Sequence, residues 1–355
     1  MTTASTTILC ANAGPRAGTD GRATCIAIGT LWVIAIGCVL MLVIADLFPQ
    51  RLEKTSQPYL ALAAGTFVVQ TLQFHIAIVS VLCVVAACAA RRWRLAAMAG
   101  MGVALGFGPG VLGVFASVPP PQSHTSMRLM SMNVFVYNDN AAAILDRVRG
   151  ASADVVVLQE YTTALDEPIR AGLVDYPYQL RKPRDDSDGW AVYSRRPLVA
   201  PIDTSLRLHE SKRQARFGVR LGERDVVIYA LHLTSPKSME QIGRNRAEVA
   251  DLCALLAGES RPVVLAGDFN FTNRTANAAA LRARGLRSTH DLAGNGRGST
   301  WRYAKLWDRL PGFRIDHVFI SEHLTCTNSQ VLDPAGSDHR PIIADIALAE
   351  EAETK

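Results

Sequence analysis

The sequence predicts an α/β fold of mixed β-sheets flanked by helices, preceded by three membrane-spanning helices. Three observations carry this. Hydrophobic residues make up 49% of the 355-residue chain against 19% charged, and the apolar excess lies almost entirely before Pro119. From Arg128 onward, short apolar runs alternate with helical patterns, with more strands than helices, which fits mixed sheets better than a simple doubly wound sheet. Asn, Glu, His and Asp recur where those strands end, the usual place for an α/β site.

The formal net charge is +5. Before Met127 there are 7 basic and 3 acidic residues; from Met127 onward there are 30 and 29. The globular part is therefore close to neutral, which argues against a broad non-specific nucleic-acid footprint. Of the seven cysteines, only Cys253 and Cys326 lie in the globular part. Neither has metal-ligand spacing, so both read as small buried apolar residues.

Residues 1–22 read as a disordered tail. The first expected span is 25–48, too long for a simple cleaved signal. The second is 67–90, within an apolar run that begins at Tyr59, and the third is 95–118, rich in glycine. Gln70 and Gln73 share one face of the second span and suit interhelical hydrogen bonds. Arg91, Arg92 and Arg94 between spans two and three favour a cytoplasmic loop there. Three spans then place everything after Pro119 on the outer face of a cell membrane. Residues 119–126, with three consecutive prolines, form a stiff linker.

The globular domain is expected over 127–350. Its strands are read at 128–134, 154–158, 189–194, 216–221, 225–233, 263–268, 313–321 and 341–347. Helices are read at 141–149, capped by Asn140, at 239–256, with Ile242, Val249, Leu252, Cys253 and Leu256 on one side, and at 277–284.

The central stretch is Val263-Val264-Leu265-Ala266-Gly267-Asp268-Phe269-Asn270. Alternation along an extended chain would point Asp268 and Asn270 into one pocket and Phe269 into the core. A carboxylate and an amide together suit phosphate chemistry. Around them the strand ends offer Asn133, Glu160, His232, Asp316 and the Asp338-His339 pair. Asp, Glu and Asn with His and no Cys suit Mg2+ or Mn2+ rather than structural zinc.

The ordered set Asn133, Gln159-Glu160, His232-Leu233, Gly267-Asp268-Phe269-Asn270, Ile315-Asp316-His317-Val318-Phe319 and Gly336-Ser337-Asp338-His339-Arg340-Pro341 resembles the endonuclease/exonuclease/phosphatase superfamily, in its membrane-anchored bacterial form. The resemblance implies a four-layer α/β sandwich of two mixed sheets with helices outside. It implies a divalent-metal-dependent phosphoester hydrolase. Glu160 would be the principal metal ligand, with Asn133 beside it and Asp338 next to the metal. Asp268 would activate the attacking water or protonate the leaving oxygen. Asn270 would orient the phosphate, His232 would donate to a phosphate oxygen, and His339 would act with Asp316 as a carboxylate–imidazole pair.

Other residues get ordinary readings. Gln159 is expected to brace Glu160, His317 to be structural, and Trp190 and Trp301 to be core. Arg181, Lys182, Arg184, Lys212, Arg213 and Arg216 read as solvated loops or a substrate rim. Tethering to a bilayer favours a lipid or lipid-linked (pyro)phosphate substrate. A tethered nuclease is the runner-up, and an inactive membrane sensor or scaffold is the alternative of another class. No protein partner follows from the sequence.

Overall fold

The structure is a computed structural model. It describes residues 19–48, 51–52, 54, 56–116, 125–302 and 311–349. The expected tail and the Pro-rich linker fall almost wholly outside these residues. The chain divides into two compact units, Met1–Pro49 with Gly65–Phe115, and Gln50–Ala64 with Ala116–Lys355.

The first unit is built on α1 (Thr19–Leu47) and the greater part of α2 (Gln57–Ala89) and α3 (Trp93–Ala116). Arg22–Leu47 and Gln57–Ala89 are long and apolar enough to cross a membrane. Two helices, not the expected three, meet that measure among the described residues. The third expected span is the helix α3, whose side chains from residue 109 onward lie outside the described ones. Apolar side chains such as Val33, Leu40, Leu82 and Val85 are exposed. Two glutamines inside this unit are satisfied between helices. Gln70 Nε2 donates to Ala45 O at 3.0 Å, and Gln73 Nε2 donates to Leu105 O at 3.0 Å. A Cβ on Gly106 would stand 2.4 Å from Ala77 Cβ, so glycine there lets α2 and α3 approach closely.

The second unit holds two six-stranded sheets. The first sheet uses β1 (Ser126–Asn133), β2 (Val155–Gln159), β3 (Tyr178–Lys182), β4 (Trp190–Ser194), β11 (Leu324–Val331) and β12 (Ile342–Leu348), in the order β11-β12-β1-β2-β4-β3. The second uses β5 (Leu198–Asp203), β6 (Ala215–Leu221), β7 (Arg224–His232), β8 (Val263–Asp268), β9 (Arg287–Ser288) and β10 (Asp316–Ile320), in the order β5-β6-β7-β8-β10-β9. Each sheet has one parallel pair at its centre, β1 with β2 and β7 with β8, and is otherwise antiparallel. The parallel pairs need crossover helices, which α4 (Ala141–Ala151) and α6 (Met239–Ala257) supply. Between them in the chain lies α5 (Thr163–Gly172); α7 (Ala276–Arg282) and the short α8 (Thr289–Ala293) follow.

The sheets pack face to face. Met127, Leu129, Val155, Val157, Trp190 and Val192 of one meet Phe217, Val219, Ile228, Ala230, Val264 and Val318 of the other in one buried cluster. A second cluster lies on the outer face of the first sheet, where Ile144 and Val148 of α4 and Leu165 and Ile169 of α5 cover Met130, Val156, Leu158 and Tyr193. This is the expected four-layer sandwich. Asn140 caps α4 as read, accepting from Ala143 N at 3.0 Å, and Trp190 is core. Cys253 and Cys326 are both free and buried.

Phe217 is fully buried in the layer between the sheets. Phe217→Ala should lower the unfolding free energy by about 3–5 kcal/mol, read from denaturant titration followed by tryptophan fluorescence. A loss under about 1 kcal/mol would mean that the inter-sheet layer is not the dominant core.

Candidate active site

The topology gathers the candidate residues at one edge of the sandwich. In a parallel pair both strands run the same way, so their C-terminal ends lie together. Asn133 ends β1 and pairs with Gln159, the residue before Glu160. His232 ends β7 and pairs with Asp268, the end of β8. Asp316 starts β10 directly opposite Asp268. His339 precedes β12, whose Ile342 pairs with Ser131 near the end of β1. Along β1, β7 and β8, alternate residues face the opposing sheet: Met127, Leu129; Ile228, Ala230; Val264, Ala266. Continuing each series reaches Asn133, His232 and Asp268. The apolar inter-sheet layer therefore gives way to polar groups at this end.

The side chains interlock. Asn133 Nδ2 donates to Glu160 Oε1 at 3.0 Å and to Asp268 Oδ2 at 3.1 Å. Glu160 Oε2 accepts from Val136 N at 2.9 Å. His232 Nε2 stands 3.8 Å from Glu160 Oε1 and 3.7 Å from Asp268 Oδ2. His339 Nδ1 donates to Asp316 Oδ2 at 2.8 Å, and its Nε2 lies 3.8 Å from Asp268 Oδ2. Phe135, Glu160 and Asn270 all have positive φ, 67°, 56° and 54°. Left-handed backbone at non-glycine residues is costly and concentrates at functional sites. Gly267 is required by a close approach: a Cβ there would stand 1.8 Å from Leu231 O.

Electrostatics divides the two imidazoles. Burial, then the positive charges of Arg213 and His339, hold His232 well below the usual imidazole range, so it is neutral. A hydrogen bond with the Ser187 backbone opposes this but does not outweigh it. Burial alone would also depress His339, but the charges of Asp316 and Asp268 and the hydrogen bond to Asp316 lift it to about 10. Burial and the charge of Asp316 push Asp268 up to about 7, against the lowering effect of His339 and Asn133.

A dication fits this end of the sandwich. Asp268, Asp316 and His339 offer ligand-type atoms within 4.8 Å of one another, but a doubly protonated His339 repels a cation. The hard oxygens of Glu160, linked through one amide to Asp268, are the better match for a hard dication.

Several expected residues sit differently. The backbone turns after Asp268, so Asn270 does not continue the strand alternation. Its N donates to Asp268 Oδ1 at 2.9 Å and its Nδ2 to Leu233 O at 3.0 Å, while Phe269 packs among Phe271, Phe319 and His317 as expected. Asp338 is exposed and accepts from Trp301 Nε1 at 3.0 Å, so its carboxylate is engaged outside the cluster. Trp301 is partly exposed and not core. Gln159 does not brace Glu160; its Nε2 donates to Ser131 Oγ at 3.2 Å across β1 and β2. His317 is structural, donating from Nε2 to Phe271 O at 2.9 Å. Of the basic candidates, Arg181 pairs with Asp166 and Arg184 with Asp186.

Residues missed in the sequence brace the loops. Asn245 Nδ2 donates to Thr234 O at 2.8 Å and to Phe269 O at 3.0 Å, and Asn277 Nδ2 donates to Asn245 Oδ1 at 2.6 Å. Glu248 accepts from Thr234 N at 2.7 Å. Ser337 Oγ donates to Asn133 O at 2.7 Å. The signal for Asn245 was present: it interrupts the apolar stripe of Ile242, Val249 and Leu252.

A cation at Glu160 must coexist with Asp268, which holds a proton below about pH 7 in the metal-free protein. Mg2+ affinity should therefore fall as pH drops through 7, by up to about tenfold per unit, and level off above it. Calorimetric titration in two buffers of different ionisation enthalpy should show about one proton released at pH 6 and few at pH 8. Asp268→Asn should remove the difference. Equal proton release at both pH values in the parent protein would disprove the coupling.

A family model described as the Endonuclease/Exonuclease/phosphatase family matches residues 130–339. No curated protein matches the sequence. Among solved structures, the chain is similar to an endonuclease/exonuclease/phosphatase from Beutenbergia cavernae, with 21% identity over 64% of this chain and 72% of that one and a TM-score of 0.50. It is similar to an endonuclease/exonuclease/phosphatase from Bacteroides vulgatus, with 19% identity over 63% and 99% of the two chains and a TM-score of 0.52. It is also similar to D. rerio TDP2 complexed with a single-strand DNA product, with 18% identity over 62% and 98% and a TM-score of 0.50. At these identities the likenesses concern the fold, while the family match covers more than half of the chain. The chain belongs to the endonuclease/exonuclease/phosphatase family, whose members are metal-dependent hydrolases of phosphoester bonds.

Proposed function

We propose that this protein is a membrane-anchored, multi-pass phosphoester hydrolase that uses Mg2+ or Mn2+ and acts at the outer face of the cell membrane on a lipid-linked (pyro)phosphate. One observation carries the reading: α1 and α2, long and apolar enough to span a bilayer, and the further apolar 24-residue helix α3 share a chain with the phosphate-type site. Tethering restricts the site to substrates at the bilayer surface. The near-neutral globular part, with 30 basic and 29 acidic residues, favours such a substrate over a long polyanion.

In this reading Glu160 and Asn133 hold the metal, which would neutralise charge on the phosphate oxygens. The other roles belong to this chain's own side chains. His339, held as a cation by Asp316, presents Nε2 as a donor to a phosphate oxygen. Neutral His232 donates from the opposite side. Asp268, lying between them, takes the proton of the attacking water or returns one to the leaving oxygen. A carboxyl poised near neutral pH suits either step. Asn270 fixes Asp268 through its backbone N–H and borders the phosphate position.

Cleavage of nucleic acid is the second reading, favoured by the likeness to TDP2 bound to a DNA product. The discriminating assay uses the full chain in lipid vesicles with Mg2+ or Mn2+. It compares a lipid pyrophosphate, a simple phosphodiester, a phosphomonoester and plasmid DNA. The lipid pyrophosphate should be cleaved fastest, and Asp268→Ala and His339→Ala should each lower its turnover by about 10²–10⁴-fold. Preferential cleavage of plasmid DNA would replace the lipid reading with the nuclease one. No cleavage of any substrate would leave a binding role. A C-terminal periplasmic reporter that stays silent would overturn the outward placement.

A further inference from the structure

The Asp316–His339 pair straddles two sheets. Asp316 begins β10 in one sheet, and His339 precedes β12 in the other. Among the described residues no ladder joins the sheets, so backbone pairing within either one cannot set the 2.8 Å bond between the two side chains. Face-to-face packing of apolar side chains tolerates small slides, whereas a catalytic pair must be held to roughly 0.5 Å. Something has to tie the two segments directly.

We propose that Thr300-Trp301 is the positioning element of this pair, a clamp that bonds the Asp316 segment on one side and the His339 segment on the other. This rests on the proposed hydrolase reading, in which His339 needs Asp316 to orient it. Towards Asp316, the fully buried Thr300 accepts at Oγ1 from both Ile315 N and Asp316 N, each at 3.1 Å. Thr300 N and Trp301 N donate to Phe313 O at 2.8 and 2.9 Å, and Phe313 N donates back to Trp301 O at 2.9 Å. Towards His339, Arg340 N donates to Thr300 O at 2.7 Å, and Trp301 forms an antiparallel bridge with His339. Trp301 Nε1 donates to Asp338 Oδ2 at 3.0 Å, and the indole ring lies 6.5 Å from the imidazole. Two residues thus fix both ends of the pair.

The residue types follow from the task. The Asp316 backbone needs an acceptor that reaches two successive N–H groups from outside its own sheet, and a hydroxyl with two lone pairs can serve both. Valine has the same shape without the acceptor. Thr300→Val would leave both N–H groups unpaired in a buried place and free the start of β10 to shift. Serine keeps the oxygen and loses only a methyl. The indole N–H gives the His339 loop a second anchor on its solvent side.

The test uses the full chain in detergent micelles with Mn2+ and bis(p-nitrophenyl) phosphate. Thr300→Val should lower kcat by about tenfold to a hundredfold with KM within about twofold, because misplacement acts on the reacting geometry and not on binding. Thr300→Ser should recover most of the lost kcat. Trp301→Phe, which keeps an aromatic ring, should lower kcat severalfold, again with little change in KM. It serves as the readout if the valine variant does not fold. A second measurement needs no turnover: the downfield proton NMR signal of the His339 Nδ1–H bonded to Asp316 should be present in the parent and in Thr300→Ser, and lost or broadened in Thr300→Val. Parental kcat and an unchanged proton signal in the folded variants would overturn the clamp. A parent that cleaves nothing yet loses the proton signal on Thr300→Val would uphold the clamp and refute the hydrolase reading.

Discussion

Three carboxylates brought together in a buried place cannot all keep their charge without something positive among them. Asp268, Asp316 and Glu160 meet at one end of the sandwich, and the rest of the site follows from how that crowding is resolved. His339 takes a proton and keeps it because Asp316 and Asp268 surround it. Asp268, deepest and nearest to Asp316, is the group whose charge is most easily given up. His232 faces the same carboxylates but stays neutral, because burial disfavours its charged form and Arg213 and His339 already supply positive charge nearby. The Glu160 side is where hard oxygens remain without a cationic neighbour.

That crowding is possible only because of the topology. Two βαβ units, one in each sheet, face one another, and a parallel pair always delivers both strand ends to the same edge. The antiparallel neighbours β10 and β12 then begin where β8 and β1 finish, adding Asp316 and His339 to the same place. Helix α6 serves both purposes. Its apolar stripe is buried, and Asn245 and Glu248 on the same buried side fasten the loops after β7 and β8.

Much of this was legible in the sequence, and the part that was not has a common cause. The central strands were readable because they are buried on both faces: β2 and β8 are continuous apolar runs. The site motifs were readable because each follows such a run directly. The strands overlooked were β3, β5, β9 and β11, which are the outer strands of the two sheets. An outer strand has one partner and little apolar demand; Leu-Thr-Cys-Thr-Asn-Ser-Gln-Val in β11 carries no clean alternation. Side-chain direction was legible only while the chain stayed extended. Asn270 and Asp338 both lie past a strand end, where the backbone turns and alternation no longer predicts where a side chain points.

The outer strands have a further consequence. An open sheet edge presents unpaired N–H and C=O groups that can recruit another chain. Here every edge is a poor template. β3 ends in Arg181 and Lys182, β5 contains Pro201 and slips register between Val199 and Ile202, β11 slips between Cys326 and Asn328, and β9 has only two residues. The irregularity that hides these strands from a pattern search also discourages one molecule from zipping onto the next. For a chain carrying long apolar helices, whose copies are concentrated wherever those helices gather, that resistance to self-pairing has more value than a few additional ladder hydrogen bonds.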